Sequence, residues 1–268
     1  MGKAHINGIT IAFDDTGSGH GCVVLVHGHP FDRSMWRPQT EALGKAGWRV
    51  IVPDLRGYGE SPIGASVTTL EQFAGDISAL LDALGIEVVV LCGLSLGGQI
   101  VMEFCRLYPE RVRAIILAAT FPQAETSEGK QNRNSTADRL LREGMGPYAE
   151  EVLPKMMAPH SIAALPAVAE HVLTMMRSAR PTGAAAALRG RAERTCYEET
   201  LSNLDVPALI VVGDEDAFTT RADADRMHAL LKRSDLVWLE GTGHMPNLER
   251  APEFNVAVER FLQTLGAA

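Results

Sequence analysis

A strand that runs through a glycine-rich turn directly into a helix constrains this chain more than any other feature. Residues 88–91 form an unbroken run of Val and Leu, which is typical of a strand buried on both faces. The run breaks at Gly93, and Ser95 stands between it and the helical pattern that follows Gly97. Glycines on both sides of Ser95 allow a tight turn that strains this residue and exposes its hydroxyl in a cleft. The amide of Leu96 then lies unpaired at a helix N-terminus, where it can stabilise developing negative charge.

Apolar runs with the length of strands alternate with helical patterns along the chain, which predicts a parallel sheet covered on both faces. The first run reverses at Asn7-Gly8, a dipeptide that favours a type I′ hairpin at a sheet edge. From Phe121 to about Asn203 the strand pattern disappears, which predicts a helical insertion. The predicted strands are 4–6, 9–13, 22–26, 49–52, 88–94, 114–118, 208–212 and 236–239. The predicted helices are 37–46, 70–84 (capped by Thr68 or Thr69), 96–108, 221–231 and 252–265, with helical runs of the insertion near 137–142, 148–157, 162–177 and 183–194.

The composition of the 268 residues is that of a soluble globular protein with a large core, since 46% are hydrophobic. The net charge of −8 makes nucleic acid and anionic membranes poor partners, whereas homo-oligomerisation stays open. No apolar run reaches the roughly 20 residues of a membrane span, and residues 1–5 lack the apolar core of a signal peptide, so we expect a cytoplasmic protein. The four cysteines lack metal-binding spacing and are expected to be buried thiols; they are Cys22, Cys92, Cys105 and Cys196.

Candidate reactive residues follow the predicted strands. In an open parallel sheet, ligands bind beyond the carboxyl ends of the strands, so the loops at these ends carry the candidates. Ser95 needs a base of near-neutral pKa and an acid that orients the base. We predict His244 as the base and Asp216 as the acid, because each follows a later strand in the required order. Asp214 and Glu215 compete with Asp216, since they follow the same strand. Taken without His244 and Asp216, the turn at Ser95 could also be a glycine-rich turn in which the serine is incidental.

Five short motifs resemble those of the α/β-hydrolase superfamily, and they span nearly the whole chain. They are His27-Gly28, Asp54-Leu55-Arg56-Gly57-Tyr58-Gly59, Gly93-Leu94-Ser95-Leu96-Gly97, Gly213-Asp214-Glu215-Asp216 and Gly243-His244. The resemblance implies an α/β fold with an eight-stranded, mostly parallel sheet flanked by helices and a helical cap inserted after the sixth strand. Residues 1–120 and 204–268 would form the core domain, and residues 121–203 the cap.

The same resemblance implies roles for single residues. It supports Asp216, because the acid of the family lies three residues after the glycine that ends the seventh strand. It implies that the second oxyanion donor, beside the amide of Leu96, is the amide of the residue after His-Gly, which here is His29. The His29 side chain either contacts substrate or hydrogen-bonds within its loop. Asp54 and Arg56 match a loop that is chiefly structural in such proteins, and we assign them no chemistry.

The identity of the nucleophile limits the reactions that the chain is expected to catalyse. Relatives with His-Gly-x-Pro include dehalogenases and epoxide hydrolases, but these have Asp where this chain has Ser95, so both are disfavoured. Residues 27–36 instead resemble the smaller esterases, enol-lactonases and cofactor-free perhydrolases or haloperoxidases. We therefore predict a hydrolase of small-molecule carboxylic esters or lactones that needs no cofactor and no metal. A perhydrolase or haloperoxidase with the same triad, or a small-molecule receptor with slow turnover, are the alternatives.

Substrate choice is expected to come from the insertion. Half of the ten methionines lie there, and they suit either a deformable apolar pocket or packing between cap helices. One of the arginines late in the insertion could bind a substrate carboxylate, as an enol-lactonase would need, while a solvated helix face accounts for most of them. The residues are Met145, Met156, Met157, Met175 and Met176, and Arg177, Arg180, Arg189, Arg191 and Arg194.

Overall fold

Eight strands form one sheet in the computed structural model, which describes residues 1–266. The strands are β1 (Gly2–Ile6), β2 (Ile9–Asp15), β3 (Cys22–Val26), β4 (Arg49–Pro53), β5 (Val89–Leu94), β6 (Val112–Ala118), β7 (Ala208–Gly213) and β8 (Ser234–Leu239). Across the sheet their order is β1-β2-β4-β3-β5-β6-β7-β8. The pairs β1–β2 and β2–β4 are antiparallel, and all other pairs are parallel. The prediction of an eight-stranded, mostly parallel sheet is confirmed.

The hairpin at the edge of the sheet forms where its dipeptide predicts it. Asn7 and Gly8 connect β1 to β2 and have φ angles of 47° and 75°. Positive φ at both central residues is the requirement of a type I′ turn, whose twist matches that of the strands. The hairpin leaves the parallel strands β3 to β8 as the part of the sheet whose carboxyl ends carry the candidate residues.

Twelve helices are present in residues 1–266. They are α1 (Arg37–Lys45), α2 (Leu70–Ala83), α3 (Leu96–Leu107), α4 (Ser127–Glu143), α5 (Met145–Met156), α6 (Pro159–Ala164), α7 (Pro166–Ser178), α8 (Pro181–Ala192), α9 (Glu198–Asn203), α10 (Arg221–Leu230), α11 (Pro246–Glu249) and α12 (Ala251–Thr264), and short 3₁₀ turns span Arg33–Trp36 and Pro109–Arg111. Thr69 is the cap of α2: its side chain accepts from the amide of Gln72, and the Gln72 side chain accepts from the amide of Thr69.

The central strands are buried on both faces, as their continuous apolar runs predict. Because successive side chains of a strand point to opposite faces, Val24 and Val26 belong to the hydrophobic cluster that includes residues of α2, α3 and α10, whereas Val23 and Leu25 belong to the cluster that includes residues of α1 and α12. This burial on both faces explains why these strands lack an alternating polar pattern. The two helical layers hold the strands in place, and the loops at the carboxyl ends of the strands stay free to form a site.

Six helices, α4 to α9, lie between β6 and β7, and four of them (α4, α6, α7 and α9) differ from the predicted runs. The helix predicted near 137–142 begins ten residues earlier, because Thr126 caps it by accepting from the amide of Gly129 at 3.0 Å. The run predicted at 162–177 is two helices, since Pro166 starts a new helix and Leu165 has a non-helical φ of −125°. The short helix α9 was not predicted at all.

The burial of the cysteines and the lack of a membrane-spanning segment were also predicted from the sequence. Cys92 and Cys105 are buried and Cys22 is half-buried, but Cys196 is exposed in the loop between α8 and α9, so the expectation of a buried thiol is wrong there. All four are free thiols. Among residues 1–266, no helix combines the length and the apolar character needed to cross a membrane.

Candidate active site

Ser95 occupies the strained turn between β5 and α3. Its φ of 56° and ψ of −114° lie in a region that residues with a side chain rarely adopt. The flanking glycines make this turn sterically feasible, since a Cβ on Gly93 would overlap the carbonyl of Gly97, and a Cβ on Gly97 would overlap the carbonyl of Val26. The carbonyl of Ser95 accepts from the Thr120 hydroxyl at 2.8 Å, which holds the turn from the neighbouring strand.

Two backbone amides near Ser95 are available to an incoming oxygen. Leu96 is the first residue of α3, so its amide has no partner within the helix. His29 lies in the loop after β3, directly after Gly28 and before Pro30, with which it forms a cis peptide bond. Within the part of the chain that the structure describes, the amide of His29 donates to no backbone carbonyl.

His244 and Asp216 are in direct contact. Nδ1 of His244 lies 2.9 Å from each carboxylate oxygen of Asp216, whose side chain is fully buried. Asp216 also accepts from the amides of Phe218 and Thr219 at 2.7 and 3.1 Å. Burial raises the pKa of this carboxyl, but His244 and the two amides outweigh that effect and hold the pKa below its usual value. Because an ionised carboxylate only accepts, Nδ1 of His244 donates, and Nε2 is the nitrogen left to take a proton.

The competing carboxylates after β7 point elsewhere. Asp214 is exposed and accepts from the amide of Thr242 at 3.3 Å. Glu215 is also exposed, and its carboxylate lies 3.6 Å from Nδ1 of His160. Of the three candidates for the acid, Asp216 is therefore the one that contacts His244.

Glu249, which the sequence analysis missed, holds the loop that carries His244. Its buried carboxylate accepts from the amides of Gly243 and Met245 in this loop, at 3.0 and 3.3 Å. It also accepts at 2.9 Å from the amide of Ala158, which precedes α6. One carboxylate thus ties the loop to the insertion. The sequence gives only a weak indication of this role, because a Glu just before the last helix is usually a solvated residue.

A cavity of about 190 Å³ lies between the carboxyl edge of the sheet and the insertion. Ser95 and His244 both line it, so the structure brings the predicted nucleophile and base to one space. The other lining residues from the sheet-forming part are His29 and Phe218, and those after β6 are Phe121, Arg133, Tyr148, Met156, Leu188 and Arg191. Among residues 1–266, no three His, Cys, Asp or Glu side chains cluster so as to hold a metal ion.

One ring nitrogen of the His29 side chain is hydrogen-bonded, and within residues 1–266 the other has no partner. Its Nδ1 lies 2.7 Å from the hydroxyl of the buried Tyr58. Within residues 1–266 the phenol has no other acceptor, so it donates to Nδ1, and the ring hydrogen of His29 is on Nε2. Burial, together with the guanidinium groups of Arg191 and Arg133, holds the pKa of His29 well below its usual value, so the ring is neutral. Nε2 is buried without a partner in this part of the chain, beside the cavity.

The methionines and arginines of the insertion divide into packing residues and cavity residues. Met156 lines the cavity, whereas the other four methionines are buried among apolar neighbours outside it. Arg191 also lines the cavity, and it is joined there by Arg133, which no sequence pattern singled out because the surrounding residues 127–136 of α4 are polar. The four remaining arginines have partners elsewhere: Arg177 pairs with Glu150, Arg189 with Asp138 and Arg194 with Glu125, and Arg180 donates to the carbonyl of Ser61.

Comparison with known proteins identifies the family and agrees with the fold. The family model described as "alpha/beta hydrolase fold" matches residues 21–251. A thermophilic esterase from Thermogutta terrifontis, solved with malate bound, superposes with a TM-score of 0.94 at 38% identity and covers 98% of this chain and 97% of its own. The 3-oxoadipate enol-lactonase 2 of Acinetobacter baylyi is 29% identical over 86% of this chain and 84% of its own. A putative non-heme chloroperoxidase of Synechocystis is 27% identical over 98% of each chain.

Proposed function

The chain belongs to the alpha/beta hydrolase family, and from that premise we propose that it is a serine hydrolase of small carboxylic esters or lactones. The observation that carries the proposal is the shared cavity, in which the strained Ser95 and the Asp216-bonded His244 face the same space. An esterase and an enol-lactonase among the relatives support the same class of reaction.

In the proposed mechanism, Ser95 attacks the ester carbonyl while Nε2 of His244 takes the hydroxyl proton. The amides of Leu96 and His29 donate to the oxygen that becomes negative in the tetrahedral intermediate. Asp216 stabilises the imidazolium that forms meanwhile. His244 then protonates the leaving alcohol, and an acyl group remains on Ser95.

Water completes the cycle. His244 takes a proton from a water molecule, the resulting hydroxide attacks the acyl carbonyl, and the proton returns to Oγ of Ser95 as the carboxylic acid leaves. A lactone follows the same steps, except that its alcohol and acid leave as one molecule. No step needs a metal ion or an organic cofactor, because the two amides and the His–Asp pair supply the charge stabilisation.

We further propose that residues 121–203 form a cap over a core of residues 1–120 and 204–268. Six lining residues of the cavity come from the proposed cap, and four come from the core. The cavity volume of about 190 Å³ is below the roughly 300–1,000 Å³ of pockets that hold drug-sized ligands. An acyl or alcohol portion of only a few carbon atoms therefore fits best.

The Ser95→Ala variant tests the proposal. We expect hydrolysis of short-chain esters to fall at least about 10⁴-fold and labelling by a fluorophosphonate probe to disappear, while the melting temperature stays near that of the wild type. Ser202→Ala is the matched control, since Ser202 lies on α9 and its hydroxyl bonds to the carbonyl of Glu198, outside the cavity. Full turnover in the Ser95 variant would exclude the proposed nucleophile.

Perhydrolysis is a second candidate, favoured by the similarity to a putative non-heme chloroperoxidase over 98% of the chain. Hydrogen peroxide would replace water as the attacking molecule, and the acyl group would leave as a peracid, which can oxidise a halide ion. The check is to measure peroxide-dependent bromination beside ester hydrolysis in the same preparation. Bromination that depends on Ser95 and exceeds hydrolysis would make perhydrolysis the main activity.

A further inference from the structure

Arg191 is a buried guanidinium that pairs with no acid in the described part of the chain. It lines the cavity that contains Ser95 and His244, and 9% of its surface is exposed. Its Nε donates to Oε1 of Gln99 at 2.7 Å. Within residues 1–266, its two terminal nitrogens donate to no acceptor, and no carboxylate forms an ion pair with it. A buried arginine normally pairs with an anion, because an unpaired charge away from water is costly.

The surroundings of Arg191 carry an excess of positive charge. Arg133 lines the same cavity. Arg194 lies three residues after Arg191, just beyond the end of α8. One carboxylate, Glu125, pairs with both Arg133 and Arg194. Burial lowers the pKa of Arg191, and the two neighbouring guanidinium groups lower it further. Two guanidinium groups therefore line this end of the cavity, and Glu125 is shared between Arg133 and Arg194, which leaves the site suited to an anionic ligand.

Two further polar groups face the same space. The neutral His29 has its N–H on Nε2, which is buried beside the cavity and has no partner among residues 1–266. Tyr148 contributes a phenol to the lining, and its ring lies 6.1 Å from that of His29. A planar guanidinium with free terminal nitrogens, together with such donors, matches the two oxygens of a carboxylate.

We propose that the substrate carries a carboxylate in addition to its ester or lactone bond, and that Arg191 binds this carboxylate with help from Arg133. This inference rests on the proposed function and adds the substrate class. The small cavity places the carboxylate only a few carbon atoms from the carbonyl that Ser95 attacks. Gln99, which lies one helical turn after Ser95 on α3, positions Arg191 through its Nε and leaves the terminal nitrogens to the substrate.

Matched ester pairs test the proposal. Monomethyl succinate and methyl levulinate have the same shape, but the first ends in a carboxylate and the second in a methyl ketone. We expect wild-type kcat/KM to favour monomethyl succinate, and Arg191→Met to reduce that preference on the order of 10- to 100-fold, as for a lost charged hydrogen bond. Acetoxyacetate and acetoxyacetone repeat the comparison with the carboxylate on the alcohol side, and the pair that shows the preference locates the subsite.

Arg177→Met is the control for loss of a cap arginine, because Arg177 is exposed on α7 and pairs with Glu150. It should leave both the activity and the preference unchanged. Arg191→Lys keeps the charge but not the planar fork, so it should keep part of the preference, and it replaces the Met variant if that protein does not fold. Equal losses on charged and neutral esters in either Arg191 variant would overturn the proposal, since Arg191 would then act on the reaction or the fold rather than on a carboxylate.

Calorimetry with succinate and its neutral diamide, succinamide, separates this inference from the proposed function, because binding requires no turnover. We expect the wild type to bind succinate and not succinamide, and Arg191→Met to bind neither. If esters are not hydrolysed through Ser95 but succinate binds through Arg191, the proposed function fails and the carboxylate site stands. If esters are hydrolysed through Ser95 without a preference and succinate does not bind, the carboxylate site fails and the proposed function stands.

Discussion

The two walls of the cavity are built by different kinds of interaction. On the sheet edge, backbone geometry places the reactive groups: the glycine turn sets Ser95, and amides hold the carboxylates of Asp216 and Glu249. On the insertion wall, side chains far apart in sequence place one another. Arg191, which lines the cavity, is held by Gln99, which is 92 residues away; Arg194, just outside the lining, is held by Glu125, which is 69 residues away.

This difference explains why the residues of the sheet edge could be predicted from the sequence and those of the insertion wall could not. A turn that needs close backbone approach leaves glycines at fixed spacing, and a loop that follows a strand occupies a known edge of the sheet. A pair of polar side chains on two helices leaves no local pattern, because many helix faces carry similar charges. The sheet edge should therefore lose chemistry when it is changed, whereas the insertion wall should lose selectivity or stability.

The largest effect should come from Asp216→Asn. An amide cannot stabilise the imidazolium and favours the wrong tautomer of His244, so kcat should fall on the order of 10⁴-fold while KM changes little. Steady-state kinetics on one short ester measures this. Asp214→Asn is the matched control, since Asp214 is exposed on the same loop and should retain activity within about twofold. Similar losses in both variants would mean that the acid is not localised at Asp216.

The second effect compares a glycine of the Ser95 turn with a glycine of the insertion. Gly97→Ala forces a Cβ against the carbonyl of Val26, and we expect it to lower the free energy of unfolding by more than about 4 kcal/mol. Gly146 is near the start of α5 and has open space around it, so Gly146→Ala should raise that free energy by about 0.5 kcal/mol through helix propensity. Urea denaturation measures both. A tolerant Gly97 would contradict the close approach at the turn.

A smaller effect should follow Glu125→Gln, which leaves Arg133 and Arg194 without their carboxylate. We expect a loss of about 3 kcal/mol at pH 7, because the Glu125 side chain is only 10% exposed. Glu150→Gln is the control in the insertion: Glu150 pairs with Arg177 at the exposed surface, and its loss should be under about 1 kcal/mol. Equal losses of stability in the two variants would mean that the buried and the exposed ion pair contribute alike to stability.

The Glu125 effect should also depend on pH. Burial raises the pKa of Glu125, but Arg133 and Arg194 lower it more, so its folded pKa lies below its usual value. The stabilisation by Glu125 is then complete above the unfolded pKa near 4.3 and is lost as pH falls through the folded value. Urea denaturation of wild type and Glu125→Gln between pH 7 and pH 3 should therefore give converging stabilities at the acid end. A difference that persists there would mean that shape rather than charge is responsible.

The sequence analysis predicted the sheet-forming part well and the insertion less well. Predicted strands such as 22–26 match the structure to the residue, because buried strands are short, apolar and bounded by breakers. The start of α4 was missed because residues 127–136 have weak helix propensity, and packing against α8 decides their structure. The roles that we predicted for Ser95, Asp216 and His244 stay predictions about chemistry, although the structure brings Ser95 and His244 to one cavity and joins His244 to Asp216.

By itself, the sequence predicted the family and the sheet, which are confirmed, and it singled out the residues that we propose as nucleophile, base and acid. These features depend on local backbone requirements, and such requirements restrict the residue types at a few fixed spacings. The tertiary structure alone decided which of five arginines in the insertion faces the cavity, that Arg133 joins it, and that no carboxylate within residues 1–266 pairs with Arg191. The reason is physical: a charge is paired or unpaired according to which helices pack together, and that packing is set by contacts between segments distant in the chain.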